Sequence, residues 1–349
     1  MQNLSSFLKT LPYPGDQTIL LVDIGARWGA NTPWDQLDKK YVTYIGFEPD
    51  YEEYRSLVAK FGSANIEYIP VGLSDTVEEH ILYVTREPGC SSIYQPNQPM
   101  LSKFFLSERW DVQKEVPIKT VPLAQVLDER KVVPDALKVD VQGAALKVLR
   151  GADQYIDQIL LIEVEVEFCE MYKGEPLFGA VDTLIRQYGF DLIDMNKYYA
   201  RRKDLGAKCV SRGQVMFADV LYVISIEKFY NLNLSQSERS RKLWNLVVML
   251  SIYGHFDLAL EFACHRQSSL SKPEKDLIET SIRKYTAIPR WKLMLFNNSA
   301  CEKLGFLISL LGNSMQIKSR LFGWGSDQAS VDSRYKHYFK HPVLKLFRK

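Results

Sequence analysis

The sequence predicts an α/β fold, a mostly parallel sheet with an antiparallel edge strand, followed by an α-helical C-terminal extension. Three observations carry the prediction. Short apolar runs rich in β-branched residues alternate with segments of helical spacing. Two late runs, 190–195 and 219–224, have no helical pattern between them. Beyond residue 231 the strand-like runs stop and helix-start signals take over. Alternating strands and helices cover both faces of a parallel sheet, the Rossmann-like arrangement. A closing strand pair without a helix makes the edge antiparallel.

The first strand is Thr18–Ile24 (TILLVDI), which ends at a glycine turn. Tyr41–Phe47 (YVTYIGF) is the second, and Tyr51–Phe61 shows helical spacing through Tyr54, Leu57, Val58 and Phe61. Asn65–Val71 (NIEYIPV) is the third strand. Residues 76–134 interrupt the alternation and carry Pro88-Gly89 and Gln95-Pro96-Asn97-Gln98-Pro99, which predicts a loop-rich insertion. Ala136–Val141 (ALKVDV) resumes the sheet, with a helix over Ala144–Leu149. Gln158–Val166 (QILLIEVEV) is the next strand, followed by a helix over Phe178–Tyr188 and the pair Phe190–Met195 and Asp219–Ile224. Ser235-x-x-Glu238 and Ser271-x-x-Glu274 are capping-box patterns, the second with Pro273 in the first turn. Leu243, Leu246, Val247, Leu250 and Tyr253 recur at helical spacing. The chain is expected to divide into residues 1–230 and a helical extension, 231–349.

Hydrophobic residues make up 46% and charged residues 25% of the 349 residues, enough for a sizeable core. A net charge of +2 gives the whole chain no reason to bind nucleic acid or membrane. The five cysteines (Cys90, Cys169, Cys209, Cys264, Cys301) contain no CxxC pair, so neither a zinc site nor a disulfide framework is indicated. A reducing compartment fits that usage. The N-terminal residues lack a basic region followed by a long apolar one, and the expected location is cytoplasmic.

Asp23-Ile24-Gly25-Ala26-Arg27-Trp28-Gly29 closes the first strand. Glycine tolerates positive φ and lets a ligand approach the backbone, and a tight loop there aims a helix N-terminus at an anionic group. Asp23 is placed to accept a hydrogen bond from a ligand amino group. Read alone, the stretch is equally an ordinary strand-to-helix turn. Glu48, at the end of the second strand, can hold both ribose hydroxyls of a nucleoside, or is a solvated strand-end carboxylate. Gly25-Ala26-Arg27-Trp28-Gly29-Ala30 lacks the GxG of a dinucleotide fingerprint, and an aspartate stands before it. Both features favour S-adenosylmethionine, which has no pyrophosphate. Leu73, Ser74 and Asp75 follow the third strand where an adenine would lie, or are plain loop residues.

Asp140 ends the fourth main strand, near the point where ligands bind open α/β sheets. It is a candidate base for an acceptor hydroxyl, or the group that orients it; the alternative is an N-cap for the next helix. Lys138 is read as turned away from Asp140, with a structural or electrostatic role. Glu163, Glu165 and Glu167 share one strand face. Burying three carboxylates is costly, so at least one is expected to face the cleft. Glu165 or Glu167 is a candidate to bind a substrate hydroxyl, or a metal together with Asp140; no histidine lies nearby in sequence, and no metal is expected. His80 is an outlying candidate base.

Together these pieces resemble the FkbM-type methyltransferase family over about residues 18–225. The matching elements are VDIGARWG (22–29), GFEPD (46–50), VGLSD (71–75), SSIY (91–94), KVDVQGAALKVLRGA (138–152), IEVEVEF (162–168) and PLFGAVDTLIRQYGFDLIDM (176–195). The resemblance implies S-adenosylmethionine as methyl donor and, as acceptor, a hydroxyl of a sugar, glycan or secondary metabolite. Asp23, Gly25, Gly29, Glu48, Leu73, Ser74 and Asp75 would then hold the cofactor, with Asp140 and Glu165 at the reacting centre. The family's K-[IV]-D-x-E-G-x-E pattern is altered here, because Gln142 and Ala145 replace its two glutamates. Glutamine hydrogen-bonds but is no base. The alternative is therefore a catalytically impaired S-adenosylmethionine-binding module acting through its helical tail. That tail ends in Arg334, Lys336, Lys340, Lys345, Arg348 and Lys349 interleaved with aromatic residues. Such a segment suits a weak contact with an anionic membrane surface or a protein, or is simply solvated.

Overall fold

The computed structural model describes residues 4–8, 10, 11, 18–205 and 213–287; the basic tail at 334–349, Cys209 and Cys301 lie outside the described residues. Its strands are β1 (Ile19–Ile24), β2 (Val42–Phe47), β3 (Ile66–Ile69), β4 (Gly72–Ser74), β5 (Glu78–Thr85), β6 (Val112–Pro122), β7 (Ala136–Val139), β8 (Leu161–Glu167), β9 (Phe190–Ala200) and β10 (Gln214–Ile224). Seven form one sheet in the order β3-β2-β1-β7-β8-β10-β9. Neighbours from β3 to β8 are parallel, and β10 runs antiparallel to both β8 and β9. This is the mixed Rossmann-like sheet that the closing strand pair predicts. Leu137, Ile162, Val164 and Leu221 are fully buried at its centre. Each such side chain stabilises the fold by about 1.5–3 kcal/mol.

The helices are α1 (Leu4–Leu8), α2 (Tyr51–Phe61), α3 (Gln98–Leu101), α4 (Leu123–Arg130), α5 (Ala145–Ala152), α6 (Phe178–Gln187), α7 (Ile226–Asn231), α8 (Gln236–Tyr253), α9 (Phe256–Cys264) and α10 (Lys272–Thr286). Asp50 caps α2 by accepting from the backbone N–H groups of Glu52 and Glu53. The N-cap of α5 is Ala144, so Asp140 is not that helix's cap. β7 stops at Val139, which leaves Asp140 and Val141 in the turn beyond the strand.

The insertion is more ordered than a loop-rich reading allows. β4, β6 and β5 make a second sheet, with β5 antiparallel to β6 and β4 parallel to it. β6 carries Pro117 and Pro122 and leaves most of its first half exposed. Proline is unusual within a ladder and gives a weak strand signal. α4 then leads the chain back into β7.

The C-terminal helices pack on the main sheet. Ser235 caps α8, accepting from the Glu238 N–H at 3.3 Å, while Glu238 accepts from the Ser235 N–H at 2.9 Å. Leu243, Leu246, Val247 and Leu250 are buried in the core shared with β7, β8 and β10. A buried polar anchor fixes the same helix. Asp135, next to the start of β7, accepts from Asn245 Nδ2 at 2.9 Å and from Arg241 at 3.3 Å, with Lys242 Nζ at 3.7 Å. Among the described residues no helix is long and apolar enough to cross a membrane.

Candidate active site

The carboxyl ends of β1, β2 and β7 are tied together by backbone. The N–H groups of Gly25 and Ala26 both donate to the Phe47 carbonyl, at 3.1 and 3.0 Å, and the Asp140 N–H donates to the Ile24 carbonyl at 2.8 Å. Gly25 has φ +86°, and a Cβ there would lie 1.8 Å from the Asp140 carbonyl oxygen. Only glycine fits both the conformation and the space. A cleft opens above these strand ends. Its lining includes Gly25, Trp28, Glu48, Lys138 and Asp140 from the main sheet's side. Leu73 on β4 and Leu82, Ser91, Ile93 and Ile118 of the insertion also line it.

Glu48 is nearly buried, and its Oε1 accepts the Asp50 N–H at 2.9 Å. Arg27 approaches its other oxygen at 3.5 Å and also binds Asp50 at 3.2 Å. Burial raises the Glu48 carboxyl to about 6, against the opposing pull of the Arg27 guanidinium.

Asp23, Lys138 and Glu163 stand in register on β1, β7 and β8, with Lys138 alone of the three lining the cleft. Lys138 Nζ donates to Asp23 at 3.1 Å, and the Tyr44 hydroxyl donates to the other Asp23 oxygen at 2.8 Å. Burial alone would lower the Lys138 pKa, but the carboxylates of Asp23, Asp140 and Glu163 outweigh it and hold the ammonium above the ordinary lysine range. Glu163 accepts from the Tyr253 hydroxyl of α8, which in turn accepts from Trp34 Nε1 at 2.8 Å. Burial raises Glu163 to about 7, partly offset by Lys138.

Beside this row, Gln142 sits at φ +50° and ties the turn after β7 to its surroundings. Its Nε2 donates to Asp140 Oδ1 at 2.9 Å and also to Glu165. Its Oε1 accepts from the Tyr172 hydroxyl at 2.9 Å, and its carbonyl accepts from Ser92 at 2.6 Å. Burial, reinforced by the carboxylates of Asp140, Glu167 and Asp219, pushes Glu165 well above the usual carboxylate range.

Residues 23–192 match the family described as the methyltransferase FkbM domain. This segment is an FkbM-type methyltransferase domain. A relative named Methyltransferase 1, from Beauveria bassiana (strain ARSEF 2860), is 28% identical over 195 residues, 51% of this chain and 74% of its own length. Two solved structures are similar at a lower level. One is methyltransferase FkbM from Methylobacillus flagellatus KT, with TM-score 0.33, 13% identity and 62% of this chain covered. This chain spans 48%, about half, of that protein. The other is precorrin-6y C5,15-methyltransferase from Geobacter metallireducens GS-15, with TM-score 0.29 and 8% identity, covering 64% of this chain and 86% of that one. Likeness at that level decides nothing about the fold, which rests on the strand order above.

In the methyltransferase domain, Gly25, Glu48, Leu73 and Asp140 come together in one cleft. Asp23 does not line it, because Lys138 and Tyr44 hold its carboxylate in the interior. Gly29 lies against the Phe61 ring and the Tyr68 hydroxyl. Ser74 is buried and donates to Asp75 at 3.0 Å, and Lys147 reaches Asp75 at 3.4 Å; neither lines the cleft. Glu163, Glu165 and Glu167 are all buried and none lines it, contrary to the expectation for at least one of them. Raised proton affinities and hydrogen-bonding partners make that burial tolerable. Lys138, read as turned away from Asp140, lines the same cleft, because the chain leaves the strand after Val139 and strand alternation no longer sets the direction of Asp140. His80 lies on β5, 3.3 Å from Glu78, outside the cleft.

The sequence reading gave Arg27 and Trp28 no role, although both stand in the VDIGARWG stretch of the resemblance. It named no individual residue for the wall that the insertion builds, apart from the SSIY stretch of the same resemblance. Among the described residues no cluster of three His, Cys, Asp or Glu side chains is placed to hold a metal ion.

Proposed function

We propose that this methyltransferase uses S-adenosylmethionine and methylates a hydroxyl of a sugar, glycan or secondary metabolite. The observation that carries the reading is a nearly buried carboxylate, Glu48, in a cleft whose two cations are already neutralised. Arg27 is paired with Glu48 and Asp50, and Lys138 with Asp23. A pyrophosphate would need free donors or cations; a nucleoside without phosphates needs an acceptor for its ribose and apolar walls. Glu48 supplies the first, and Ile24, Phe47, Leu73 and Ile118 the second.

The bound donor supplies a methyl group on a sulfonium, and the acceptor oxygen forms its new bond to that carbon as the sulfur–carbon bond breaks, leaving S-adenosylhomocysteine. Glu48 accepts the ribose hydroxyls. Asp140 orients the acceptor hydroxyl and takes its proton, which then passes to solvent. Gln142 holds one Asp140 oxygen in place. The cleft walls hold the reacting groups in line, and much of the rate comes from that positioning. We place the protein in the cytoplasm, a reading supported by free thiols at Cys90, Cys169 and Cys264.

Calorimetry tests the donor. Folded protein should release heat with S-adenosylmethionine and with S-adenosylhomocysteine but not with NAD; silence with both of the first two ends the reading. Asp140→Ala should bind S-adenosylhomocysteine within a few-fold of wild type while turnover falls by roughly 10²–10⁴. A second reading, donor binding without turnover, is favoured by Gln142, whose amide occupies both Asp140 and Glu165. Release of S-adenosylhomocysteine on incubation with glycan or metabolite fractions, abolished in Asp140→Ala, would remove it.

A further inference from the structure

Trp28 stands apart from its neighbours on three independent counts. It is a large aromatic side chain left 57% exposed. Its φ is +69°, a left-handed backbone conformation that bulky residues rarely adopt. Its ring also lies against the turn at Pro88–Cys90 in the insertion, so closely that a Cβ on Gly89 would fall 2.5 Å from Trp28 Cη2. Trp28, Pro88 and Gly89 all line the cleft. The indole therefore reaches from the glycine loop after β1 to the opposite wall, across the cleft that holds Glu48. Strained backbone persists where the surroundings over-determine it, commonly at ligand clamps.

We propose that Trp28 and the Pro88–Gly89 turn form a latch over the donor, an inference that rests on the donor reading above. The inner face of the indole covers the bound nucleoside, and the turn holds the ring in place. The donor and its product leave only when that contact opens. Two parts of the chain far apart in sequence thus set the residence time: the loop after β1, and an insertion that joins no strand to the main sheet.

Stopped-flow displacement of S-adenosylhomocysteine tests this. Trp28→Ala should raise the dissociation rate about tenfold and the association rate as well, because a contact that must open for exit must also open for entry. Gly89→Val leaves Trp28 intact but pushes its ring away, and should speed dissociation similarly; Gly89 has no left-handed φ, so its backbone accepts a side chain. Trp28→Phe should fall between wild type and Trp28→Ala, which keeps the test informative if the alanine variant folds poorly. Tyr51→Ala, at an equally exposed aromatic outside the cleft, should change neither rate. Dissociation within twofold of wild type in Gly89→Val and both Trp28 variants would overturn the latch alone. Wild-type protein that binds no S-adenosylhomocysteine would sink the donor reading and the latch with it.

Discussion

Gly25 and Gly179 are both glycines, yet their surroundings predict opposite responses to alanine. Gly25 has φ +86° and Asp140's carbonyl where a Cβ would go, whereas Gly179, in α6, has open space around it. Gly25→Ala should destabilise by roughly 2–5 kcal/mol, combining left-handed strain with overpacking, and should abolish donor binding. Gly179→Ala should be neutral or stabilise by about 0.4–1 kcal/mol. Urea midpoints of the two variants check the contrast. Glu48 makes a second residue-level prediction. With its carboxyl raised to about 6, protonation removes a hydroxyl acceptor as the pH falls below that value. Affinity for S-adenosylhomocysteine should therefore weaken from pH 7 to pH 5, and Glu48→Gln should flatten the profile. Glu48 and Gly25 were legible because each stands at the end of a strong apolar run. Asp23 was legible as important, but its partners were not: Lys138 lies 115 residues away.

At the level of elements, α8 shows the same division. Its start was written locally, in Ser235-x-x-Glu238, and its buried stripe follows from helical spacing. Its docking was not, because Asp135 and Arg241 are 106 residues apart. Asp135→Ala would leave the nearly buried Lys242 without that carboxylate. The expected cost is about 3–5 kcal/mol, as for breaking other buried ion pairs. Arg86→Ala, which removes an exposed partner of Asp111, should cost well under ~1 kcal/mol. Chemical denaturation of the two variants separates an anchor from a surface pair. The insertion strands were illegible for a different reason: prolines in β6 mask its pattern, and its partner β5 lies across a long excursion.

For the whole molecule, the buried carboxyls set the pH dependence of stability. Burial raises Glu48 and Asp219 to about 6, Glu163 to about 7 and Glu175 to about 8, above their ordinary values near 4. The folded state then holds more protons than the unfolded state between pH ~4 and ~8, so stability falls as pH rises through that window. For Glu163 alone the effect is on the order of 3 kcal/mol. Asp50, Asp75 and Asp194 are shifted the other way: burial acts against them, but hydrogen bonds and neighbouring cations outweigh it. Their contribution is lost only at more acidic pH. The thermal midpoint should therefore be highest near pH 5 and decline toward pH 8. Glu175→Gln keeps an acceptor for the Met171 and Tyr172 N–H groups but cannot ionise, so it should make that decline shallower. A midpoint that rises from pH 5 to pH 8 would contradict the assignment.

The sequence by itself determined the order of the main sheet's strands along the chain, the glycine turn after β1, the acid at the end of β2 and the capping boxes of the helical extension. Each is written within a few neighbouring residues, where periodicity and local hydrogen bonding act. Only the tertiary structure decided which carboxylates meet the cleft and which meet protein. Glu48 and Asp140 line it, while Asp23, Glu163 and Glu165 are held by Lys138, Tyr253 and Gln142. That division depends on the register between β1, β7 and β8 and on helices that dock from more than 100 residues away. Strand pairing and docking are long-range events, and no short stretch of sequence contains both partners.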